Sequence, residues 1–217
     1  MTENGLFAAL ALAAVTVGSL HTLAPDHWLP FAAVARARGW SAGRTARVTV
    51  LCGFGHVTSS VLLGLLGFLF GLELLQTFGK RMESVAGLLL IGFGLVYAVW
   101  GMRSAAGHRL HGHSHTHYDH VHDPSRVTAW TLFLLFSADP CVAVIPLLFA
   151  AAPLGVVRTV AIVALYELVT MGTMVLLVLP ARAGVARLRS PWLDRYGDAA
   201  AGGSIAAVGI VVALLGW

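Results

Sequence analysis

Six long apolar runs, separated by short polar segments, constrain this chain more than any other feature of its sequence. The runs cover residues 6–34, 48–75, 85–102, 127–152, 156–179 and 199–217. A transmembrane α-helix needs about 17–25 predominantly apolar residues, and every run reaches that length. The sequence therefore predicts an all-α membrane protein with six transmembrane helices.

The composition supports this prediction and excludes the soluble enzyme classes. Hydrophobic residues make up 58% of the chain and charged residues only 11%, whereas soluble domains contain about 25% charged residues. The sequence has no glycine-rich phosphate loop with its lysine, so we expect no ATP site. We expect a membrane carrier and not an enzyme. The net charge of +4 is spread over the segments between the runs. We therefore expect membrane lipid, and not nucleic acid, as a partner.

The arginines between the runs predict the orientation in the membrane. They concentrate in the first, third and fifth polar segments. These are Arg36, Arg38, Arg44 and Arg47, then Arg103, Arg109 and Arg126, then Arg182, Arg187, Arg189 and Arg195. By the positive-inside rule these segments are cytoplasmic, so both termini are expected outside. The predicted organisation is a three-helix unit at 1–103, a cytoplasmic loop at 104–126 and a second three-helix unit at 127–217.

A weak internal repeat relates the two three-helix units. At an offset of 115 residues Pro25 aligns with Pro140 and Gly94 with Gly209, and at an offset of 111 His56 aligns with Glu167. Units with three spans enter the membrane from opposite sides, so the pattern predicts two inverted repeats, as in many transporters. Chance alignment of apolar, glycine-rich helices is the alternative interpretation.

The first run contains three ionisable residues, His21, Asp26 and His27, at a depth where a charge costs about 2.5–3.5 kcal/mol. On an unbroken helix these residues would point in three different directions. Pro25 and Pro30 each remove a backbone hydrogen bond, so we expect the helix to open at both and the three side chains to converge. A polar cluster that only joins neighbouring helices is the alternative.

The second run and the second half of the chain supply further candidates. His56 shares a helix face with Cys52, four residues earlier, and is expected to face the opened turn. Asp139 and Cys141 flank Pro140, which predicts a second broken helix, and Glu167 lies in the following run. Histidine can also merely bond across helices, aspartate can cap a helix and cysteine can pack as a small apolar residue, so these alternatives stay open.

Together the candidates predict a metal site inside the membrane. They are His21, Asp26, His27, His56, Asp139, Cys141 and Glu167. Three imidazoles, a thiol and up to three carboxylates suit a divalent Ni, Co, Zn or Fe ion. The set is too rich in nitrogen for Mg²⁺ or Ca²⁺ and too poor in sulfur for Cu⁺.

Seven of the ten histidines lie in the loop between the two units. They are His108, His111, His113, His115, His117, His120 and His122. Histidine-rich tracts bind metal by composition. We therefore expect a cytoplasmic loop that gathers metal ions with little selectivity.

The spacing of His21, Asp26 and His27, the Gly55-His56 pair of the next run and the histidine-rich loop resemble the nickel/cobalt transporters. The resemblance is to the NicO group in particular, within the LysE-type superfamily of six-span transporters. It implies transport of a transition-metal cation, nickel or cobalt first, with His21, Asp26, His27 and His56 handling the ion. We accordingly expect an integral protein of a prokaryotic inner membrane.

Cys141 supports an alternative of a different class. A cysteine next to Pro140 and close to Pro146 also resembles the CcdA/DsbD-type thiol-disulfide exchange proteins of the same superfamily. Those proteins need a cysteine in both halves, and here the second cysteine, Cys52, lies on a different span from the counterpart of Cys141. A membrane metalloenzyme with the same ligands is a further alternative.

Overall fold

The computed structural model of the protein describes residues 2–70, 72–107, 124–139, 141, 143–187 and 191–215. It describes their side chains except at 72–84, 86, 107, 124–127, 185–187, 191, 193–194 and 215. Over these residues all regular secondary structure is helical. The helices are α1 Glu3–Thr22, α2 Pro25–Ala37, α3 Ala42–Phe70, α4 Leu72–Gly107, α5 Pro124–Ala138, α6 Val144–Ala151, α7 Val156–Arg187 and α8 Pro191–Leu215.

Within the part of the chain that the structure describes, five helical segments are long and apolar enough to cross a membrane, which identifies an integral membrane protein. They are Glu3–Thr22, Ala42–Phe70, Gly87–Ala106, Val156–Gly184 and Arg195–Leu214. The run at 127–152 is divided between α5 and α6, whose apolar parts are shorter than a bilayer requires. The sequence prediction of a second broken helix is thus confirmed, because α5 ends at Ala138 and α6 begins at Val144.

The first run is broken once, immediately before Pro25. Helix α1 ends at Thr22, and Pro25 begins α2 as its first helical residue, where its missing N–H has no intrahelical partner to lose. Pro30 lies inside α2, so the expectation that the helix opens there is wrong. A proline in a membrane helix frees one carbonyl, and neighbouring groups can compensate for that loss. Helix α2 ends before Gly39, whose φ of 60° suits glycine.

Two of the polar segments predicted as loops are largely helical. Helix α4 begins at Leu72, so the predicted loop at 76–84 is wrong. Helix α7 runs through Pro180 to Arg187 and α8 begins at Pro191, which overturns most of the predicted loop at 180–198. Hydropathy marks where a helix leaves hydrocarbon, whereas the backbone hydrogen bonds that define the helix continue into the polar region.

Glycines bring α4 and α8 into close antiparallel contact. A Cβ atom added to Gly202 would lie 2.6 Å from the carbonyl oxygen of Gly94, and one added to Gly209 would lie 2.9 Å from the carbonyl oxygen of Gly87. Small residues at such positions let membrane helices approach until their backbones touch. Helices α4 and α8 therefore form a pair that joins the two halves of the chain.

The remaining helices also pack across the two halves. Helix α1 packs on α7, α2 on α7 and α8, and α3 on α5 and α7. The broken helix α1–α2 and the broken helix α5–α6 are both held against α3 and α7, the helices that follow them in each half. The two breaks consequently face the interior of the bundle.

Polar contacts join helices at the two ends of the bundle. At one end, Arg38 Nε donates to Tyr97 Oη at 2.8 Å, and Tyr97 Oη donates to Asp198 Oδ1 at 2.6 Å, connecting the segment after α2 with α4 and α8. At the other end, Arg158 Nη1 donates to Glu3 Oε2 at 2.9 Å and connects α7 with α1.

Candidate metal centre

Three histidine rings from the first break and from α3 come together inside the bundle. The ring centroids of His21 and His27 are 4.3 Å apart, and the ring of His56 lies 6.2 Å from the first and 5.2 Å from the second. His27 and His56 are 3% and 2% exposed. His56 thus faces the opened turn of the first run, as its position on the face of Cys52 predicts.

His56 is held so that one ring nitrogen is available to a ligand. Its Nδ1 lies 3.2 Å from the carbonyl oxygen of Phe136 on α5, and because a carbonyl only accepts, Nδ1 carries the hydrogen. The neutral ring then has its lone pair on Nε2, which is buried and has no hydrogen-bond partner among the residues that the structure describes. Metal-binding histidines are commonly oriented by a backbone carbonyl in this way.

Cys141 lies in the second break and is fixed through both its backbone and its side chain. Its N–H donates to Ser60 Oγ, which in turn donates to the carbonyl oxygen of His56 at 2.7 Å. Its Sγ lies 2.8 Å from Tyr166 Oη on α7. Cys141 is only 1% exposed, so a residue in a non-helical segment is nonetheless held firmly inside the bundle.

One ligand atom each from His21, His56 and Cys141 lies within 4.8 Å of the other two. Zn–N and Zn–S bonds of about 2.0–2.1 and 2.3 Å place ligand atoms about 3.3–3.8 Å apart in a tetrahedron. An ion therefore needs the three atoms to move inward by no more than about 1–1.5 Å. Three protein ligands with an open fourth position are the arrangement of an exchangeable site, because structural zinc sites use four protein ligands.

Asp26 and His27 lie beside this three-ligand group and outside it. Asp26 Oδ1 is 3.1 Å from His27 Nδ1, within ion-pair distance, but the geometry is not that of a hydrogen bond. The ring of His27 lies next to those of His21 and His56, although none of its ligand atoms belongs to the group. Asp26 also lines an apolar cavity of about 400 Å³ between α2 and α8.

Two further candidates, Asp139 and Glu167, are not brought into the three-ligand group either. Asp139 follows α5 and is half-buried. Glu167 is also half-buried, and its Oε1 is buried with no hydrogen-bond partner in the part of the chain that the structure describes. Glu167 is adjacent to Tyr166 on α7, so it lies close to the site along the chain without joining it.

The two cysteines are free and belong to different apolar clusters. Cys52 packs in a cluster with Phe31 and Phe136, whereas Cys141 packs in another with Val57 and Tyr166. Both thiols are buried, which limits access by a partner thiol. The seven loop histidines, predicted to gather metal ions, lie outside the described residues. They are His108, His111, His113, His115, His117, His120 and His122.

Sequence reasoning missed Tyr166, which contacts Cys141 and is fully buried. A signal for it was present, because tyrosines of membrane proteins concentrate at the interfaces and Tyr166 lies inside the run at 156–179. A tyrosine at that depth needs a partner for its hydroxyl. The sequence alone also does not predict that Cys141, rather than Asp26, joins His21 and His56, because this depends on how the two helix breaks lie relative to each other.

No protein-family model, curated protein or solved structure matches the chain. The functional interpretation therefore depends on the geometry and chemistry of these side chains.

Proposed function

We propose that the protein transports a divalent transition-metal cation through the site formed by His21, His56 and Cys141. The observation that carries the proposal is the approach of their three ligand atoms to within 4.8 Å inside a bundle of membrane-spanning helices. Ionisable side chains at this depth are expensive, so they mark ion pathways in membrane proteins.

The ligand set selects the class of cation. Two imidazole nitrogens and one sulfur suit Zn²⁺, Co²⁺ and Ni²⁺, and nickel and cobalt are favoured by the resemblance of the first run to nickel/cobalt transporters. A carrier must also release its ion, and a site with only three converging protein ligands binds less permanently than a closed structural site. His27 or a water molecule supplies the fourth ligand.

Two inverted three-helix repeats would explain how such a site opens to either face. At the offset of 115 residues, Gly87 corresponds to Gly202 and Gly94 corresponds to Gly209. The repeat therefore pairs the contact between Gly94 and Gly202 with an equivalent contact between Gly209 and Gly87, and the structure contains both. Such exchange of contacts is what a pseudo-two-fold axis between α4 and α8 produces.

In this mechanism the two broken helices, α1–α2 and α5–α6, meet near the middle of the membrane, and α5 and α6 together form the sixth span. The ion is held where the breaks face each other, and the halves rock around it. Opening toward one face would separate Arg38 from Asp198, and opening toward the other would separate Glu3 from Arg158. The arginine-rich end is the cytoplasmic one by the positive-inside rule, and the histidine-rich loop collects or receives ions there.

Transport by purified protein in lipid vesicles tests this proposal. We expect wild type to move radioactive Ni²⁺, Co²⁺ or Zn²⁺ across the bilayer, and we expect His56→Asn to reduce the initial rate at least about 100-fold, because it removes a metal ligand rather than an outer-shell partner. Cys52→Ser is the matched control. Cys52 lies one turn from His56 on α3 but packs in a different hydrophobic cluster from Cys141.

The same experiment separates the proposal from thiol-disulfide exchange. An exchanger that uses both cysteines would be inactivated by Cys52→Ser, whereas a cation carrier keeps its transport rate. Absence of cation movement by wild type, or equal rates for wild type and His56→Asn, would contradict the proposal.

A further inference from the structure

Tyr166 lies outside the ligand group and contacts the sulfur of Cys141, one of its members. It lies in the middle of α7, is fully buried and has its hydroxyl oxygen 2.8 Å from Cys141 Sγ. A Cβ added to Gly18 of α1 would lie 3.4 Å from the ring of Tyr166, so the ring packs directly against the first broken helix. Tyr166 therefore touches both broken helices at once.

Cys141 lies between two helices, in a segment without regular helical geometry. The contact of its sulfur with Tyr166 therefore helps to determine the orientation of the side chain. Its N–H is held by Ser60, and its sulfur is held by Tyr166. Because χ1 of a cysteine has three staggered positions, a hydrogen bond to Sγ favours the one in which the sulfur belongs to the three-ligand group. The position of the third ligand atom thus depends on Tyr166.

We infer that Tyr166 is a positioning residue that sets the cation selectivity of the site, by donating its hydroxyl hydrogen to the sulfur of Cys141 and directing that sulfur toward the ion. The inference rests on the proposed function. When an ion binds, the cysteine is a thiolate, and a hydrogen bond to a charged acceptor is about twice as strong as a neutral one. A fixed thiolate favours the thiophilic ions Zn²⁺, Co²⁺ and Cd²⁺ over Mn²⁺ and Mg²⁺, which prefer oxygen ligands.

Tyr166→Phe tests this role, because it removes the hydroxyl and keeps the ring that packs on Gly18. Binding is measured with Co²⁺ on the full-length protein with the seven loop histidines replaced by asparagine, because the loop would otherwise bind Co²⁺ itself. The sulfur-to-cobalt charge-transfer absorption reports the thiolate directly. We expect the Co²⁺ affinity to fall about 10–100-fold, the usual effect of removing an outer-shell partner, and the charge-transfer band to weaken or shift. The ratio of the Cd²⁺ affinity to the Mn²⁺ affinity should fall by a similar factor.

Tyr97→Phe is the matched control. Tyr97 is also a buried tyrosine with a hydrogen-bonded hydroxyl, but its partners are Arg38 and Asp198 at the end of the bundle. The substitution Tyr97→Phe should leave the Co²⁺ spectrum unchanged. In a Cys141→Ala background Tyr166→Phe should cause no further loss of affinity, since the two changes remove the same interaction.

The outcomes distinguish this inference from the proposed function. Loss of Co²⁺ binding in His56→Ala together with wild-type affinity and spectrum in Tyr166→Phe overturns the role of Tyr166 and leaves transport standing. If Tyr166→Phe lowers the Co²⁺ affinity as much in the Cys141→Ala background as in the wild-type background, the role of Tyr166 is also overturned. Its effect would then not depend on the sulfur of Cys141. A wild-type protein that binds no Co²⁺ overturns both.

Discussion

Replacing His56 by alanine is expected to lower the affinity of the purified protein for Co²⁺ at least about 100-fold, more than the loss of an outer-shell partner causes. The carbonyl of Phe136 holds Nδ1 of His56, so Nε2, which is buried and has no hydrogen-bond partner among the described residues, is left to bind an ion. Removal of His56 leaves only His21 and Cys141 of the three-ligand group.

The measurement is equilibrium Co²⁺ binding to full-length protein in which the seven loop histidines are asparagine, because the loop would otherwise mask the site. Cys52→Ser in the same background is the control, since Cys52 is as buried as His56 and lies on the same face of α3. Unchanged affinity in His56→Ala would exclude His56 as a ligand.

The second large effect concerns folding and comes from a pair of adjacent glycines on α8. Gly202→Ala is expected to lower the free energy of unfolding by about 1–3 kcal/mol or more, the range of overpacked cores. Its Cβ would lie 2.6 Å from the carbonyl oxygen of Gly94 and 2.7 Å from Cα of Ala98, both of them backbone atoms that cannot turn away. Helices α4 and α8 would have to separate.

Gly203→Ala provides the control within the same turn. A Cβ at Gly203 meets no described atom within 4 Å, so this change should stay within about 1 kcal/mol of wild type. Thermal unfolding of the two variants in detergent compares them directly. Similar melting temperatures for both variants would show that α4 and α8 do not pack through Gly202.

Much of the fold follows from hydropathy and proline positions. The long apolar runs predict the membrane-spanning helices, and Pro25 and the residues around Cys141 predict the two breaks. The helix ends at 72 and 187 could not be predicted, because a helix is not obliged to end where hydrocarbon ends. The predicted break at Pro30 was wrong because one lost hydrogen bond does not break a helix that is supported by its neighbours.

The candidate site was predictable as a collection of residues but not as a geometry. His21, His56 and Cys141 were all candidates, but Asp26 and His27 were expected to handle the ion together with His21 and His56. Cys141 was the less expected ligand, because a buried cysteine commonly packs as a small apolar residue. On a helix the residues at 21, 26 and 27 point in different directions, and only the angle between α1 and α2 decides which of them meet His56. That angle depends on packing against α7 and α8, which no local pattern encodes.

The central claim is that an ion is bound jointly by the two halves of the chain, through His21 and His56 from the first and Cys141 from the second. X-ray absorption at the cobalt or zinc edge, on metal-loaded full-length protein with the loop histidines replaced, tests it most directly. The account predicts one sulfur at about 2.3 Å, two imidazole nitrogens at about 2.0–2.1 Å, and loss of the sulfur signal in Cys141→Ser. A first shell of nitrogen and oxygen alone, identical in wild type and Cys141→Ser, would contradict it.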